Sequence, residues 1–178
     1  MDSHTLVKLP DLIRTITEPV DISQIPDLSV TGIIHDSRRV QTGYVFVAVS
    51  GGIEDGHRYI PEAVQNGAVA VVGTEPDIKL SVPYILVNDS RKALAYLSAG
   101  FFNFPARDLV VIGVTGTDGK TTTVNLIFRI LQAAGLSVGM ISTVNAVIGD
   151  KELETGFHVT TPEAPDIQFY LSQMVAQG

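Results

Sequence analysis

The stretch V-I-G-V-T-G-T-D-G-K-T-T-T, residues 111–123, decides how the chain is read. An apolar run at 109–114, L-V-V-I-G-V, leads into a glycine-bearing loop, and a helical pattern from Thr121 to Ala134 follows at once. Strand, loop and helix start in that order make a phosphate cradle. Glycines let the backbone come close to a ligand. Amides at the helix start point at it, and the helix dipole favours negative charge there. Lys120 adds a full positive charge, and the Thr121 hydroxyl stands where a magnesium ligand is needed. The spacing is a variant: the common pattern has glycine five residues before Gly119, where Val114 stands, while Gly113 and Gly116 lie six and three before it. The plain alternative is a strand-to-helix turn that binds nothing.

Working outward, the upstream half alternates short apolar runs with helical patterns. Leu9, Leu12, Ile13 and Ile16 recur at helical spacing. Strands are predicted at 29–34, 44–51, 68–73 and 83–87, with the valine-rich 44–51 run suited to cover on both faces. Helices are predicted over 58–67 and 91–102, the second capped by Ser90. Downstream, Leu126, Ile127, Ile130 and Leu131 mark one face of the helix after the loop. A strand at 136–144, a hairpin over 147–159 turning at Gly149-Asp150, and a helix over 162–178 complete the pattern. The alternation predicts an α/β fold with largely parallel pairing. N-F-P-A-R-D, residues 103–108, reads as a linker between a small N-terminal α/β domain (1–104) and the start of a phosphate-loop, parallel-sheet domain (105–178). Two clear parallel strands and a hairpin are thin for a doubly wound sheet, so that second domain is expected to continue past residue 178.

Composition narrows the function. Of 178 residues, 45% are hydrophobic and 17% charged, enough to bury a core. A net charge of -7 leaves no basic face for a nucleic-acid backbone. No apolar run approaches the roughly 20 residues of a membrane span. The N-terminus has neither the basic start nor the unbroken apolar segment of a signal peptide. With no cysteine there are no disulfides or thiolate zinc sites, which fits a reducing cytoplasm. His4, His35, His57 and His158 show no metal-ligand spacing, and His57 and His158 read as surface residues. The chain is silent on oligomeric state.

The loop alone does not complete a phosphoryl-transfer enzyme. Only Arg129 and Lys151 follow Lys120 as cations, whereas transferring a phosphoryl group needs several to offset its charge. No apolar strand ending in a carboxylate follows to anchor magnesium, and no Asn-Lys-x-Asp run is present for guanine.

The 111–123 stretch, S-T-V at 142–144 and T-T-P-E at 160–163 together resemble the central domain of the Mur ligases. Residues 36–72, beginning D-S-R-R-V-Q-T-G and passing through G-G-I-E-D-G-H, resemble the N-terminal uridine-nucleotide domain of the MurE-type branch, which adds the third residue of the peptidoglycan stem peptide. The resemblance implies an ATP-dependent amide ligase. Its substrates would be UDP-N-acetylmuramoyl-dipeptide and a diamino acid, joined through an acyl phosphate, with Mg²⁺ required. By motif position, Gly116, Thr117, Asp118, Gly119, Lys120, Thr121 and Thr122 would wrap the ATP phosphates. Lys120 would stabilise the transferring charge and Thr121 would ligate magnesium. Ser37, Gly52, Ile53 and Glu54 would line the uridine-nucleotide pocket, and Thr160 and Thr161 would meet the muramoyl-peptide side. Many loops of the family carry asparagine where Asp118 stands. The later parts of the family's pattern, including its amino-acid-binding domain, are not in these residues, so little or no ligase activity is expected of the chain by itself.

Plain structural readings stay open beside these. Ser37 would then cap a turn, 51–56 would be a glycine connection, and Thr160-Thr161 before Pro162 would begin a helix. Two other functional readings also stay open: another phosphate-loop nucleotide enzyme, and a non-catalytic nucleotide-sugar binding module.

Overall fold

The computed structural model describes residues 6–50, 54–142, 145–149, 151–154 and 162–178. They divide into two units, Met1–Asn103 and Phe104–Gly178.

The first unit is built on four parallel strands. β1 (Val7–Lys8) runs into α1 (Leu9–Ile13), and β1 pairs antiparallel with β2 (Ser29–Val30). Then β3 (Gly32–Ile34), β4 (Tyr44–Val47), β5 (Ala70–Gly73) and β6 (Tyr84–Leu86) pair in that order, all parallel. Ile33 sits beside Val45, Phe46 beside Val71, and Val72 beside Ile85. Side chains alternate across a strand. Phe46 and Val71 therefore point to one face, where they pack with Ile34, Val40 and Ala48 against Ile60 and Ala63 of α2 (Ile60–Gln65). Val45, Val47 and Val72 point to the other face, which α3 (Ser90–Phe101) covers with the buried Leu94 and Leu97, and α1 packs on α3. The two-sided cover expected for the 44–51 run is present over β4; the strand ends at Val47, Ser50 is exposed, and residue 51 lies outside the described residues.

Two details differ from the sequence expectation. The 29–34 run is two strands, because the chain leaves the β1 pair at Thr31 to join the parallel sheet. Thr31 N donates to Gly43 O at 2.9 Å there. α3 is capped by Asp89, whose extended backbone lets its carboxylate accept from Lys92 N at 2.9 Å. Ser90 lies inside the first turn, buried, and accepts from Ser50 N at 3.4 Å.

In the second unit a 3-10 turn (Pro105–Asp108) is followed by α4 (Lys120–Ala133), β7 (Met140–Ile141), β8 (Asn145–Ile148), β9 (Lys151–Glu154) and α5 (Ala164–Gln177). The three strands pair antiparallel, with Met140 opposite Val147 and Ile148 opposite Lys151 across the hairpin. Among the described residues of this unit no strands pair in parallel. The 109–114 run carries no strand: Val110, Val111 and Ile112 are 94%, 60% and 56% exposed. Apolar composition favours a strand only where a neighbour can take its hydrogen bonds, and no described neighbour does. The stripe expected on α4 is only partly covered, with Ile127 and Leu131 half-buried. Leu126 and Ile130 are exposed, and Phe128 is the buried residue of that helix.

Candidate functional site

The phosphate loop has the backbone its glycines permit. Gly119 takes φ +75° at the cap of α4 and Gly116 takes φ +153°, both left-handed values. No side chain caps the helix, whose ladder opens with Thr123 N on Gly119 O at 2.9 Å. The amides of Lys120, Thr121 and Thr122 precede that first bond and are free of intrahelical partners. Space around the loop is open: a Cβ built at Gly113 or Gly119 meets nothing within 4 Å. The Lys120 ammonium folds back over the loop and donates to Gly116 O at 2.8 Å and Thr117 O at 3.3 Å. Asp118, Thr121 and Thr122 are exposed, and Asn125 Nδ2 donates to Thr121 O at 2.8 Å. Gly116 to Thr122 thus gather amides, hydroxyls and one ammonium in one open loop, a donor set chemically suited to an anion with a metal ion beside it.

A second group of residues lies in the first unit. Its strands are parallel, so their C-terminal ends share one edge, where α/β sheets bind ligands. The edge is furnished by two turns of the same design. Asp36 caps the 3-10 turn Ser37–Arg39 by accepting Arg38 N at 3.1 Å, and Asp55 caps Gly56–Tyr59 by accepting His57 N at 3.1 Å. Both are aspartates bonded to the amide two residues on, the local turn such side chains favour. The Asp36 carboxylate also takes Arg38 Nε at 2.8 Å and Nη2 at 2.7 Å, which holds it below the usual carboxylate range.

Ser37 is buried between that turn and α2. Its hydroxyl donates to Glu62 Oε2 at 2.5 Å, and its carbonyl accepts from Asn66 Nδ2 at 3.0 Å. Glu62 in the first turn of α2 and Asn66 at its C-cap, four residues apart, were not picked out from the sequence. Their spacing is the only sequence signal for them, and it is one that any solvated helix shows. Glu54 accepts from the Tyr59 hydroxyl at 2.6 Å, and that bond pushes the phenol's pKa up. Ser37 is thus tied to α2, and Glu54 to the second of the two turns. At the end of β3, His35 Nδ1 is buried with no hydrogen-bond partner among the described residues. Gly52, Ile53, Thr160 and Thr161 lie outside the described residues, as does His158.

His57 corrects the surface reading. It is 7% exposed, with Nδ1 2.7 Å from Asp55 Oδ1 and Nε2 accepting from Thr74 N at 3.0 Å.

An open glycine loop at a helix start in one unit and a parallel-sheet edge with two capped turns in the other define a two-unit α/β protein. The chain belongs to the Mur ligase family. The family's catalytic-domain model matches residues 29–102, and the Mur ligase middle-domain model matches 114–178. The UDP-N-acetylmuramyl-tripeptide synthetase of Deinococcus radiodurans is 42% identical over 181 residues, covering 97% of this chain and 36% of that protein. The UDP-N-acetylmuramoyl-L-alanyl-D-glutamate--2,6-diaminopimelate ligase of Caldanaerobacter subterraneus subsp. tengcongensis is 38% identical over 174 residues, covering 97% of this chain and 35% of that protein. A solved UDP-N-acetylmuramoyl-L-alanyl-D-glutamate--2,6-diaminopimelate ligase shares the fold, with a TM-score of 0.69 at 24% identity over 97% of this chain and 34% of that one. The chain therefore spans about a third of the length of these relatives. No helix among the described residues is long and apolar enough to cross a membrane.

Proposed function

We propose that the chain supplies the nucleotide-binding front of a ligase working in the cytoplasm. That enzyme joins a diamino acid to UDP-N-acetylmuramoyl-L-alanyl-D-glutamate at the expense of ATP. The second unit takes ATP and the first takes the uridine nucleotide. The names of the relatives support the reaction and the uridine-nucleotide substrate, and the observation that carries the phosphate assignment is the uncapped start of α4 with Lys120 poised over it.

When bound, ATP with Mg²⁺ supplies the phosphoryl group that turns a carboxylate into a reactive acyl phosphate. The chain's own residues do the holding. Amides of Lys120, Thr121 and Thr122 face the anion, and Gly116 and Gly119 let the backbone approach it. Lys120, which donates to two loop carbonyls in the free chain, would turn to the phosphate oxygens. Thr121 would be the residue that holds the magnesium. In the first unit, Ser37, Glu54 and the neighbouring Gly52 and Ile53 meet the uridine nucleotide. Thr160 and Thr161 serve the muramoyl-peptide side.

Because the chain spans about a third of its relatives, binding is the direct test. Calorimetry should show separate binding of ATP with Mg²⁺ and of UDP-N-acetylmuramoyl-dipeptide. Lys120→Ala should weaken the first and leave the second intact. Binding of ATP alone would favour another nucleotide enzyme, and uridine-nucleotide binding with ATP never bound would favour a non-catalytic module. Either result overturns the proposal.

A further inference from the structure

We propose that His57 is a positioning residue for the nucleotide edge of the first unit: as a neutral imidazole protonated on Nδ1, it ties Asp55, and with it Glu54 and Gly56, to the C-terminal end of β5. The inference rests on the reading that this edge holds a uridine nucleotide.

The tautomer follows from its partners. Thr74 N is a backbone amide and only donates, so Nε2, 3.0 Å away, must present a lone pair. The ring proton is then on Nδ1, which faces Asp55 Oδ1 at 2.7 Å. Asp55 Oδ1 also accepts His57 N at 3.1 Å, so one carboxylate oxygen grips both the ring and the backbone of the same residue. Those two bonds keep the Asp55 carboxyl below its usual range, in line with its role as acceptor.

The surrounding backbone is shaped for the same contact. Gly56 N donates to Val49 O at 3.1 Å, and a Cβ at Gly56 would stand 2.7 Å from Val49 N. A Cβ at Gly73 would stand 2.8 Å from His57 Nε2 and 2.4 Å from the Tyr84 hydroxyl. Two glycines thus allow the two chain segments and the imidazole to meet. The connection after β4 is closed at its stem and pinned sideways to β5, which sets where Glu54 stands relative to the Ser37 turn.

A metal site is the competing use of these residues, since Asp55, His57 and Glu75 each bring a ligand atom within 4.8 Å of the others. Both ring nitrogens already have protein partners, so a cation would have to break one of those bonds.

The test uses the full chain with uridine diphosphate as the probe. In ring-nitrogen NMR of the unsubstituted chain, Nδ1 should carry the proton and Nε2 should not. A protonated Nε2 overturns the proposal whatever the ligand does. His57→Phe removes both bonds and should weaken uridine diphosphate about tenfold, equivalent to about 1.4 kcal/mol. His57→Gln, which can still accept from Thr74 N, should recover part of that loss. If His57→Phe fails to fold, His57→Gln against the unsubstituted chain carries the comparison, with an expected loss of several-fold. Folded variants that bind within twofold of the unsubstituted chain overturn the proposal alone. Failure of the unsubstituted chain to bind any uridine nucleotide overturns the functional reading, and the proposal with it.

Discussion

Replacing Lys120 with methionine tests the phosphate loop by its charge and little else. In the free chain the ammonium donates to Gly116 O at 2.8 Å and Thr117 O at 3.3 Å, both on an exposed loop within four residues of it. Exposed neutral-acceptor bonds of this kind contribute at most about 0.5–1 kcal/mol each, because water replaces them readily. Binding a nucleotide exchanges them for a charge-assisted bond to phosphate of about 1.5–3 kcal/mol. The net difference is about 0.5–1 kcal/mol, so Lys120→Met should raise the Kd for ATP roughly 2- to 5-fold. Methionine keeps the unbranched stem and the helix propensity of lysine. The melting temperature should therefore stay within a few degrees, and uridine-nucleotide affinity should not change. Calorimetric titration with ATP and Mg²⁺, beside a thermal melt of the same samples, reads all three. If ATP binds the variant within twofold of the original chain while the fold is intact, the ammonium is not part of a phosphate site and the reasoning fails.

Three further outcomes follow from the geometry. Asp89→Ala removes the side-chain cap of α3 and should cost about 1 kcal/mol, seen as a lower denaturant midpoint for the first unit. Gly56→Ala should destabilise that unit more than Gly119→Ala destabilises the second, because the Gly56 Cβ would stand 2.7 Å from Val49 N whereas the Gly119 Cβ meets nothing within 4 Å. At Gly119 only the left-handed φ is charged against alanine, about 1–2 kcal/mol; equal losses in denaturant melts would refute the comparison. Asp36 has its pKa lowered, first by the Arg38 hydrogen bond, so its contribution is complete above the unfolded value of about 3.9 and is lost as pH falls through the lower folded value. Stability curves of the original chain and Asp36→Asn should therefore differ at neutral pH and converge in strong acid; a constant gap down to the acid limit would contradict this.

What the sequence disclosed follows the range of the forces involved. Short-range chemistry was readable. Glycines at 116 and 119, followed by Lys120 and a helix start, mark a conformation that few other residues adopt, and both take left-handed φ. The alternation of strands and helices in the first unit was readable for the same reason, since each element carries its own apolar period. Partnership was less readable. The 109–114 run is apolar enough for a strand, but a strand exists only with a neighbour in register, and composition does not name one. Leu126 and Ile130 lie on the apolar stripe of α4 and remain exposed, because periodicity says which face wants cover and not whether cover is present. His57 looked like a surface residue because its partners, Asp55 and the Thr74 amide, mix a near neighbour with one 17 positions away.

Net charge sharpens the argument for a local cradle. The chain carries -7, so its long-range field repels the polyanions assigned to it. That repulsion acts over a Debye length, about 8 Å at physiological ionic strength. The attraction must then come from groups in contact: three amides at the start of α4, whose partial charges need no counter-ion, and one ammonium already over the loop. In the first unit Arg38 is tied to Asp36 by two bonds, which fixes its guanidinium on the turn. Ser37 is oriented in the same way, its hydroxyl turned to Glu62 and its carbonyl to Asn66. Recognition by fixed dipoles in an acidic chain depends on geometry, which rests in the first unit on capping aspartates and on glycines with no space for a Cβ, and in the second on the left-handed φ of Gly116 and Gly119.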